Sequence, residues 1–158
     1  NELIVKSFLS SNLKNDTNYV LRFYGAGPGL KLCKSLIDKT VINVEFYEPL
    51  NEVTSVLESA STVILMSNHE GLPMTLLEAL ASDIPIICSE IIELRAEFQE
   101  SDRLNIFFCK NDVDELSAVF NKYGAWINSL EKGVNEGYFY EKYDPFKIRR
   151  IIQHAITD

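Results

Sequence analysis

Five short apolar runs, separated by longer amphipathic stretches, limit what this chain can fold into. The runs are YVLRFYG (19–25), VEFY (44–47), TVILMS (62–67), PIICS (85–89) and NIFFC (105–109), and each has the composition of a β-strand. Helical patterns lie between them at about 29–39, 51–60, 74–82, 90–100 and 112–130. Because alternating strands and helices need crossover connections, the strands should be parallel. The pattern predicts an α/β fold with a doubly wound parallel sheet, in which Thr62–Met66 is a central strand.

The two ends of the chain carry further helical patterns. Near the start, apolar residues fall at helical spacing from Leu3 to Leu13, without a recognisable start signal. Near the other end, Asp144 and Pro145 suit an N-cap and a first helical position, and they predict a terminal helix at 144–158. The stretch EKGVNEGYFYEKY before it has no regular pattern. Since the sequence also lacks an initiator methionine, we expect residues 1–158 to be a single domain of a longer protein, truncated at its N-terminal side.

Charge and cysteine content limit the partners and the compartment. The net charge of −8 argues against nucleic-acid binding, which needs clustered Lys and Arg. No Lys or Arg occurs between Lys39 and Arg95, so an anion bound by that segment would depend on backbone dipoles or on side chains from elsewhere. Cys33, Cys88 and Cys109 each have apolar neighbours, which favours buried free thiols in a reducing compartment. No apolar run approaches the roughly 20 residues that span a bilayer, and we expect a cytoplasmic protein.

The loops at the carboxyl ends of the strands are where ligands bind in such sheets. The first of them, GAGPG, contains Gly25 and Gly27, which would let a ligand approach the backbone. It has neither the G-x-G-x-x-G spacing of dinucleotide-binding loops nor the GK[ST] ending of a P-loop. A tight turn between strand and helix explains the same glycines equally well, and the pattern leaves both interpretations open.

The loop after the third strand, SNHEGLPMTLLEALASD, carries the strongest chemical signal, and in it seven residues separate Glu70 from Glu78. Pro73 suits a first helical position, and the amides of Met74 and Thr75 would then be unpaired donors at the positive end of the helix. Such an end binds an anion without Lys or Arg. A spacing of about 100° per residue puts five apolar residues on the buried face: Met74, Leu76, Leu77, Leu80 and Ala81.

The same spacing places Glu78 at the border of that face, beside Thr75, where its carboxylate would be partly sheltered. A sheltered carboxylate is a good acceptor for the vicinal hydroxyls of a sugar. The alternative is that Glu70 only starts the helix and that Glu78 is solvated, and periodicity does not decide between the two. His69 is expected at the polar rim of the loop, and His154 at the surface of the last helix.

The run EGLPMTLLEALASDIPII, preceded by STVILMSNH, resembles the signature of the glycogen-synthase-like retaining glycosyltransferases of family four, the glycosyl transferases group 1. Further stretches are similar to other segments of the same family: VLRFYGAGPGLKLCKSLI, VEFYEPLNEVTSVLESA, CKNDVDELSAVF and KYDPFKI. The family has the GT-B fold, in which two Rossmann-like domains face each other across a cleft. The resemblance implies that this chain is the Rossmann-like C-terminal half, which binds the nucleotide-sugar donor.

The resemblance also implies roles for individual residues. Glu70 would contact hydroxyls of the transferred hexose and act as the catalytic residue, and Glu78 would hold the ribose. The remaining donor contacts would come from Gly25, Gly27, Gly71, Leu72, Pro73, Met74 and Thr75, with Tyr47 and Pro49 beside the base. A UDP-sugar is the favoured donor, and transfer would need neither a metal nor a cofactor.

For the whole protein, the resemblance implies hexosyl transfer to a glycan or lipid-linked acceptor in the synthesis of bacterial capsule, lipopolysaccharide or glycolipid. The acceptor would be held by the missing N-terminal domain, so the piece alone should be inactive. A group of basic residues near the end of the chain could place the protein at the inner face of the membrane, although a solvated helix face is the simpler interpretation. The group consists of Lys142, Lys147, Arg149 and Arg150.

The sequence departs from the family pattern in three places. The basic pair that clamps the diphosphate would fall before Asn1, and the family's C-G-x-P reads Ser82-Asp83-Ile84-Pro85. SEIIELRAEF replaces a glycine-rich turn, which leaves Glu93 without a clear equivalent. Two other functions stay open. A non-catalytic Rossmann-like binding module has no need for both Glu70 and Glu78, and a sugar-nucleotide 2-epimerase would carry its acid and base residues largely in the other domain.

Overall fold

A computed structural model describes residues 1–50, 53–98 and 103–143. Its strands are β1 (Leu21–Tyr24), β2 (Val44–Tyr47), β3 (Val63–Leu65), β4 (Ile86–Ser89) and β5 (Ile106–Cys109). Its α-helices are α1 (Glu2–Leu9), α2 (Pro28–Ser35), α3 (Thr54–Ser59), α4 (Met74–Ala81), α5 (Ile92–Glu97), α6 (Val113–Ile127) and α7 (Val134–Tyr143). Each strand and helix predicted between residues 19 and 130 is present, with ends that shift by a few residues. The terminal helix predicted at 144–158, with His154, lies outside the described residues.

The strand pairs within these ranges are parallel, as predicted. β1 pairs with β2, and β3, β4 and β5 follow one another in a second sheet. Ile87 of β4 stands opposite Ile64 on one side and Phe107 on the other. A helix joins the strands of each pair, so the α/β fold class is confirmed. Within the described residues β1 forms no ladder with β3, and β3 is therefore an edge of its sheet rather than the central strand that the sequence predicts.

Helices cover both faces of the three-stranded sheet. On one face, Ile87 packs into a core with Val5 of α1 and Phe120 of α6. On the other face, Ile86 packs into a second core with Leu80 of α4. Successive residues of a strand point to opposite faces, which is why neighbours in β4 enter different cores. Two cores on one sheet are the doubly wound arrangement.

α1 is shorter than the helical pattern from Leu3 to Leu13 predicts. It ends at Leu9, and a 3₁₀ helix at Asn12–Asn15 follows. Ser11 causes the break, because its hydroxyl donates to the carbonyl of Phe8 at 2.8 Å and accepts from the amide of Leu13 at 3.3 Å. These side-chain bonds replace the hydrogen bonds that would continue the helix.

α7 lies in the stretch 131–143, for which the sequence predicts no regular structure. The carboxylate of Asp83 explains the difference. It accepts hydrogen bonds from three amides near the start of the helix: Gly133 at 2.5 Å, Asn135 at 3.1 Å and Glu136 at 3.4 Å. Asp83 thus caps α7 from 50 residues before Gly133. A helix whose cap lies so far away in the chain has no start signal in its own sequence.

Candidate functional site

A cavity of about 560 Å³ lies between β1 and β3, where the two sheets do not pair. Arg22 and Tyr24 of β1 line it, as do Thr75 and Glu78 of α4, the helix that follows β3. The chain runs from β1 outward to β2 and then resumes at β3, so the strand order reverses at this gap. In open α/β sheets, ligands bind at the carboxyl ends of the strands near such a reversal. The cavity runs along β1 and β3 from Asn18 and Thr62 near their amino ends, and it also reaches Thr75 and Glu78 on the helix after β3. Its place at the reversal makes it the candidate site.

The turn Asn68–Pro73 leads the chain from β3 into α4. Glu70 is half-buried in this turn, whereas Gly71 and Leu72 are exposed. Pro73 is the N-cap of α4, with an extended backbone of φ −70° and ψ 132°. The predicted place of Pro73 as the first helical residue is therefore wrong by one position, and α4 begins at Met74. The extended conformation before a helix is what an N-cap requires.

The start of α4 has two amide donors without an acceptor in the described part of the chain. The carbonyl of Pro73 accepts from the amides of Leu76 at 3.0 Å and Leu77 at 3.3 Å. Within residues 1–50, 53–98 and 103–143, no acceptor meets the amides of Met74 and Thr75. These groups carry the partial positive charge of the helix end, so they can bind an anion.

The faces of α4 differ in part from the pattern that the sequence predicts. Leu76 and Leu80 are fully buried, as predicted, but Met74 is 66% exposed. Met74 is the first residue of the helix and its side chain points towards the N-terminal end, so it projects past the core. Glu78 is half-buried, as predicted, and lines the cavity together with Thr75. A carboxylate and a hydroxyl one helical turn apart thus face one space.

His69 precedes Glu70 and is exposed, in agreement with its predicted place at the rim of the loop. The hydroxyl of Ser67 donates to the carbonyl of His69 at 3.0 Å. This bond fixes the backbone next to Glu70 from the end of β3.

Gly25 and Gly27 form the tight strand-to-helix turn that was one of the two interpretations of the GAGPG loop. Their φ angles are 144° and 135°, which favour glycine. An added Cβ at either position would meet no atom of the described part of the chain within 4 Å, so backbone conformation rather than crowding requires the glycines. Gly27 is the N-cap of α2, and neither glycine lines the cavity.

Tyr47 lies at the end of β2, where 43% of it is exposed. Its ring stacks on that of Tyr24, with centroids 5.0 Å apart and planes 13° apart. Its hydroxyl donates to Glu45 at 2.7 Å, and Nε of Arg22 donates to the same carboxylate oxygen at 3.0 Å. The hydrogen bonds from Tyr47 and then Arg22 lower the pKa of Glu45, while Glu45 raises the pKa of Tyr47. Pro49, in the loop that follows, is exposed.

Arg22 is a cation near the site that sequence reasoning missed. It precedes the segment without Lys or Arg, yet it borders the same cavity as Thr75 and Glu78. The alternation in LRFY, which turns Arg22 and Tyr24 to one face of β1, is the signal that would have indicated it. Its charge is offset by Glu45, so it brings a paired guanidinium to the cavity rather than an isolated one.

A second missed group joins the carboxyl ends of β3, β4 and β5. It consists of Ser67, Asn68, Ser89 and Asn111, and we call it the strand-end cluster. The hydroxyl of Ser89 accepts from the amide of Ser67 at 2.6 Å and donates to Oδ1 of Asn111 at 2.7 Å. Nδ2 of Asn111 donates to the carbonyl of Ser67 at 2.6 Å and to Oδ1 of Asn68 at 2.9 Å. Its one signal in the sequence is the serine that ends the apolar run PIICS.

Two structural observations concern metals and membranes. Across the described ranges, no group of three or more His, Cys, Asp or Glu side chains is arranged to hold a metal ion. None of the helices in those ranges combines the length and the apolar character needed to cross a membrane.

The crossover helices, the parallel strands and the cavity at the strand-order reversal define a Rossmann-like α/β domain. Residues 2–124 match the family described as glycosyl transferases group 1. The match covers most of the chain, and the chain belongs to this family. The resemblance found in the sequence is thereby confirmed.

Several curated bacterial proteins are similar to the chain. It is 27% identical over 164 residues to the lipopolysaccharide 1,6-galactosyltransferase of Escherichia coli strain K12, covering 97% of this chain and 45% of that protein. It is 29% identical over 141 residues to an uncharacterized glycosyltransferase of Haemophilus influenzae, covering 82% and 39%. It is 29% identical over 107 residues to the putative colanic acid biosynthesis glycosyltransferase WcaL of Salmonella typhimurium, covering 61% and 26%. The chain spans less than half the length of each of these relatives.

Proposed function

We propose that this chain is the donor-binding domain of a retaining glycosyltransferase with the two-domain GT-B fold, and that its donor is a nucleoside-diphospho-hexose. One observation carries the proposal: Thr75 and Glu78 border the cavity at the strand-order reversal, on a helix that starts with two available amide donors. A diphosphate suits an anion-binding helix start, and a sugar hydroxyl suits a half-buried carboxylate. Membership of the glycosyl transferases group 1 supports the same function.

In this proposal the diphosphate lies at the amides of Met74 and Thr75, and the backbone of Gly71 to Pro73 lies against the sugar. The positive end of α4 would stabilise the negative charge that develops on the leaving diphosphate. Arg22, which borders the same cavity, adds positive charge on the β1 side.

The two glutamates and the tyrosine pair would bind the remaining parts of the donor. Glu70 orients the hexose as the catalytic residue, and Glu78 accepts hydrogen bonds from the ribose. Tyr47 and Pro49 lie beside the base, for which an exposed ring stacked on Tyr24 is a suitable surface. The glycine turn at Gly25–Gly27 would approach the donor from the end of β1. UDP is the favoured nucleotide.

The activity of the whole protein is also part of the proposal. We infer that residues 1–158 form one donor-binding domain and that another part of the protein binds the acceptor, because the relatives are more than twice as long. The names of those relatives favour a glycan or lipid-linked acceptor in cell-surface polysaccharide synthesis. The protein would then work in the cytoplasm at the inner face of the membrane, and this chain alone would bind donor without transferring it. Of the basic group proposed for membrane contact, Lys142 pairs with Glu97 and the other members lie outside the described residues.

The test is a titration of UDP, GDP and their hexose conjugates into the protein. Binding is measured by isothermal titration calorimetry and by the NMR chemical shifts of the backbone amides of residues 70–75. We expect one nucleotide to bind saturably and Glu78→Gln to weaken that binding about tenfold or more, because a charged hydrogen-bond acceptor is replaced by a neutral one. Glu136→Gln is the matched control, since Glu136 is an exposed glutamate of α7 that does not line the cavity.

Two outcomes would contradict the proposal. Absence of binding by all the nucleotides would favour a non-catalytic interaction module. Equal weakening by Glu78→Gln and by Glu136→Gln would show that binding depends on overall charge and not on the cavity.

A further inference from the structure

Two side chains of the strand-end cluster, Ser89 and Asn111, form hydrogen bonds through each of their polar atoms. The hydroxyl of Ser89 is a donor and an acceptor at once, and the side-chain amide of Asn111 uses both its oxygen and its nitrogen. Asn68 and Asn111 are exposed, but Ser89 is fully buried. The cluster is uncharged, so its geometry does not change with pH near neutrality.

Ser89 has no packing reason to be a serine. The three residues before it in β4 are apolar and also fully buried, so an alanine or cysteine would suit the same strand. A buried hydroxyl is costly unless it is hydrogen-bonded, and here it is bonded to the amide of Ser67, the second residue after β3. The hydroxyl therefore serves the connection between β4 and the chain leaving β3.

That connection continues directly to the proposed donor contacts. The carbonyl of Ser67 accepts a hydrogen bond from Asn111, and its amide donates to Ser89. Its hydroxyl donates to the carbonyl of His69 at 3.0 Å. Glu70 is the next residue, and α4 begins four residues later. In the described residues Glu70 itself has no hydrogen-bond partner, so its position depends on the backbone before and after it.

We propose that Ser89 and Asn111 are positioning residues that set the conformation of the Asn68–Pro73 turn and thereby the affinity of the protein for its donor. They act through the backbone of Ser67 and His69 and do not touch the donor themselves. This inference rests on the proposed function for the identity of the ligand, but the ordering of the turn by the cluster is independent of it.

The experiment compares Ser89→Ala, Asn111→Ala and the double variant in the intact protein. Hydrogen–deuterium exchange of a peptide covering residues 67–73 reports the order of the turn without ligand, and titration of UDP reports affinity. Each single variant should exchange faster in that peptide and bind UDP about tenfold more weakly, the size of one hydrogen bond. Because Ser89 and Asn111 share one hydrogen bond but contact Ser67 at different atoms, the double variant should bind more weakly than either single variant, by less than the sum of the two losses.

Ser7→Ala is the matched control. Ser7 is also fully buried, but its hydroxyl has no hydrogen-bond partner among the described residues, and it lies in α1 away from the strand ends. It should leave both exchange in 67–73 and UDP affinity unchanged. Ser89→Thr retains the hydroxyl and should recover protection of the peptide relative to Ser89→Ala.

Unchanged exchange in residues 67–73 for both cluster variants would overturn the inference. So would weakening that is additive in the double variant, or a loss of affinity matched by Ser7→Ala. If the wild-type protein binds no nucleoside diphosphate, the proposed function fails, and the exchange of the turn alone then supports or overturns the role of the cluster.

Discussion

Replacing Asp83 tests whether its carboxylate is what makes residues 134–143 helical. Asp83 has a φ of 54°, a left-handed conformation that glycine adopts without strain, and the family pattern has glycine there. Its carboxylate also accepts hydrogen bonds from the amides of Gly133, Asn135 and Glu136. Backbone strain favours glycine at this position, whereas the cap favours aspartate, so the two effects oppose each other.

The magnitudes indicate that the cap dominates. Loss of an N-cap side chain costs about 1–2 kcal/mol, and a negative charge at a helix start adds about 0.3–1 kcal/mol. Relief of the positive φ by glycine returns about 1 kcal/mol. Asp83→Gly should therefore lower the free energy of unfolding by about 1 kcal/mol, and Asp83→Ala, which keeps the strain, by about 2–3 kcal/mol. For a chain of this length each kcal/mol corresponds to about 2–4 °C in Tm.

Urea denaturation followed by circular dichroism measures these differences, and exchange of a peptide from α7 shows whether the loss is local. Asp83→Asn is the control for charge, because it keeps the side-chain oxygen and tolerates the left-handed conformation. A glycine variant as stable as the wild type, with α7 equally protected, would refute the capping role of Asp83.

Three further results are expected. Burial raises the pKa of the Cys88 thiol to about 12 and that of Cys109 to about 11, so an alkylating reagent near neutral pH should modify neither before unfolding, as mass spectrometry would show. The hydrogen bond from Tyr143 lowers the pKa of the Glu97 carboxyl in the folded protein. A carboxyl with a lower pKa in the folded than in the unfolded chain stabilises the fold at pH values above its pKa in the unfolded chain. The advantage of wild type over Glu97→Gln in urea titrations should therefore be full near neutral pH and shrink below about pH 4.5; an advantage that grows on acidification would contradict this. Nδ2 of Asn43 lies 2.8 to 3.1 Å from three backbone carbonyl oxygens, which share its two hydrogens. Asn43→Ala should therefore lower the free energy of unfolding by about 2–4 kcal/mol, and an unchanged denaturation midpoint would count against it.

Most strands and helices could be predicted because their signals are local. A short, continuous apolar run such as Ile86–Ser89 is typical of a strand whose two faces are both covered by helices, so it predicts a strand without information from the rest of the chain. The exceptions are elements whose ends depend on a side chain. Ser11 ends the first helix early, and α7 forms where the sequence has no start signal because Asp83 caps it.

The candidate site could be predicted only in part. Periodicity placed Glu78 at the half-buried border of α4, since that depends on the helix alone. Met74 was misplaced, because its exposure depends on where the helix begins relative to the core. The roles of Glu70 and Glu78 towards a donor stay predictions that the nucleotide titration tests.

The sequence by itself determined the order of strands and helices between residues 19 and 130, the parallel direction of the strands, and the family through the run around Glu70 and Glu78. These properties follow from short-range patterns of apolar residues and from a contiguous motif. Only the tertiary structure decided that β1 and β3 stand apart around a cavity, that Arg22 borders it, and that Ser89 and Asn111 hold the turn before α4. A cavity or a hydrogen bond between distant residues depends on how elements meet in space, and periodicity along one element carries no information about the distance to another.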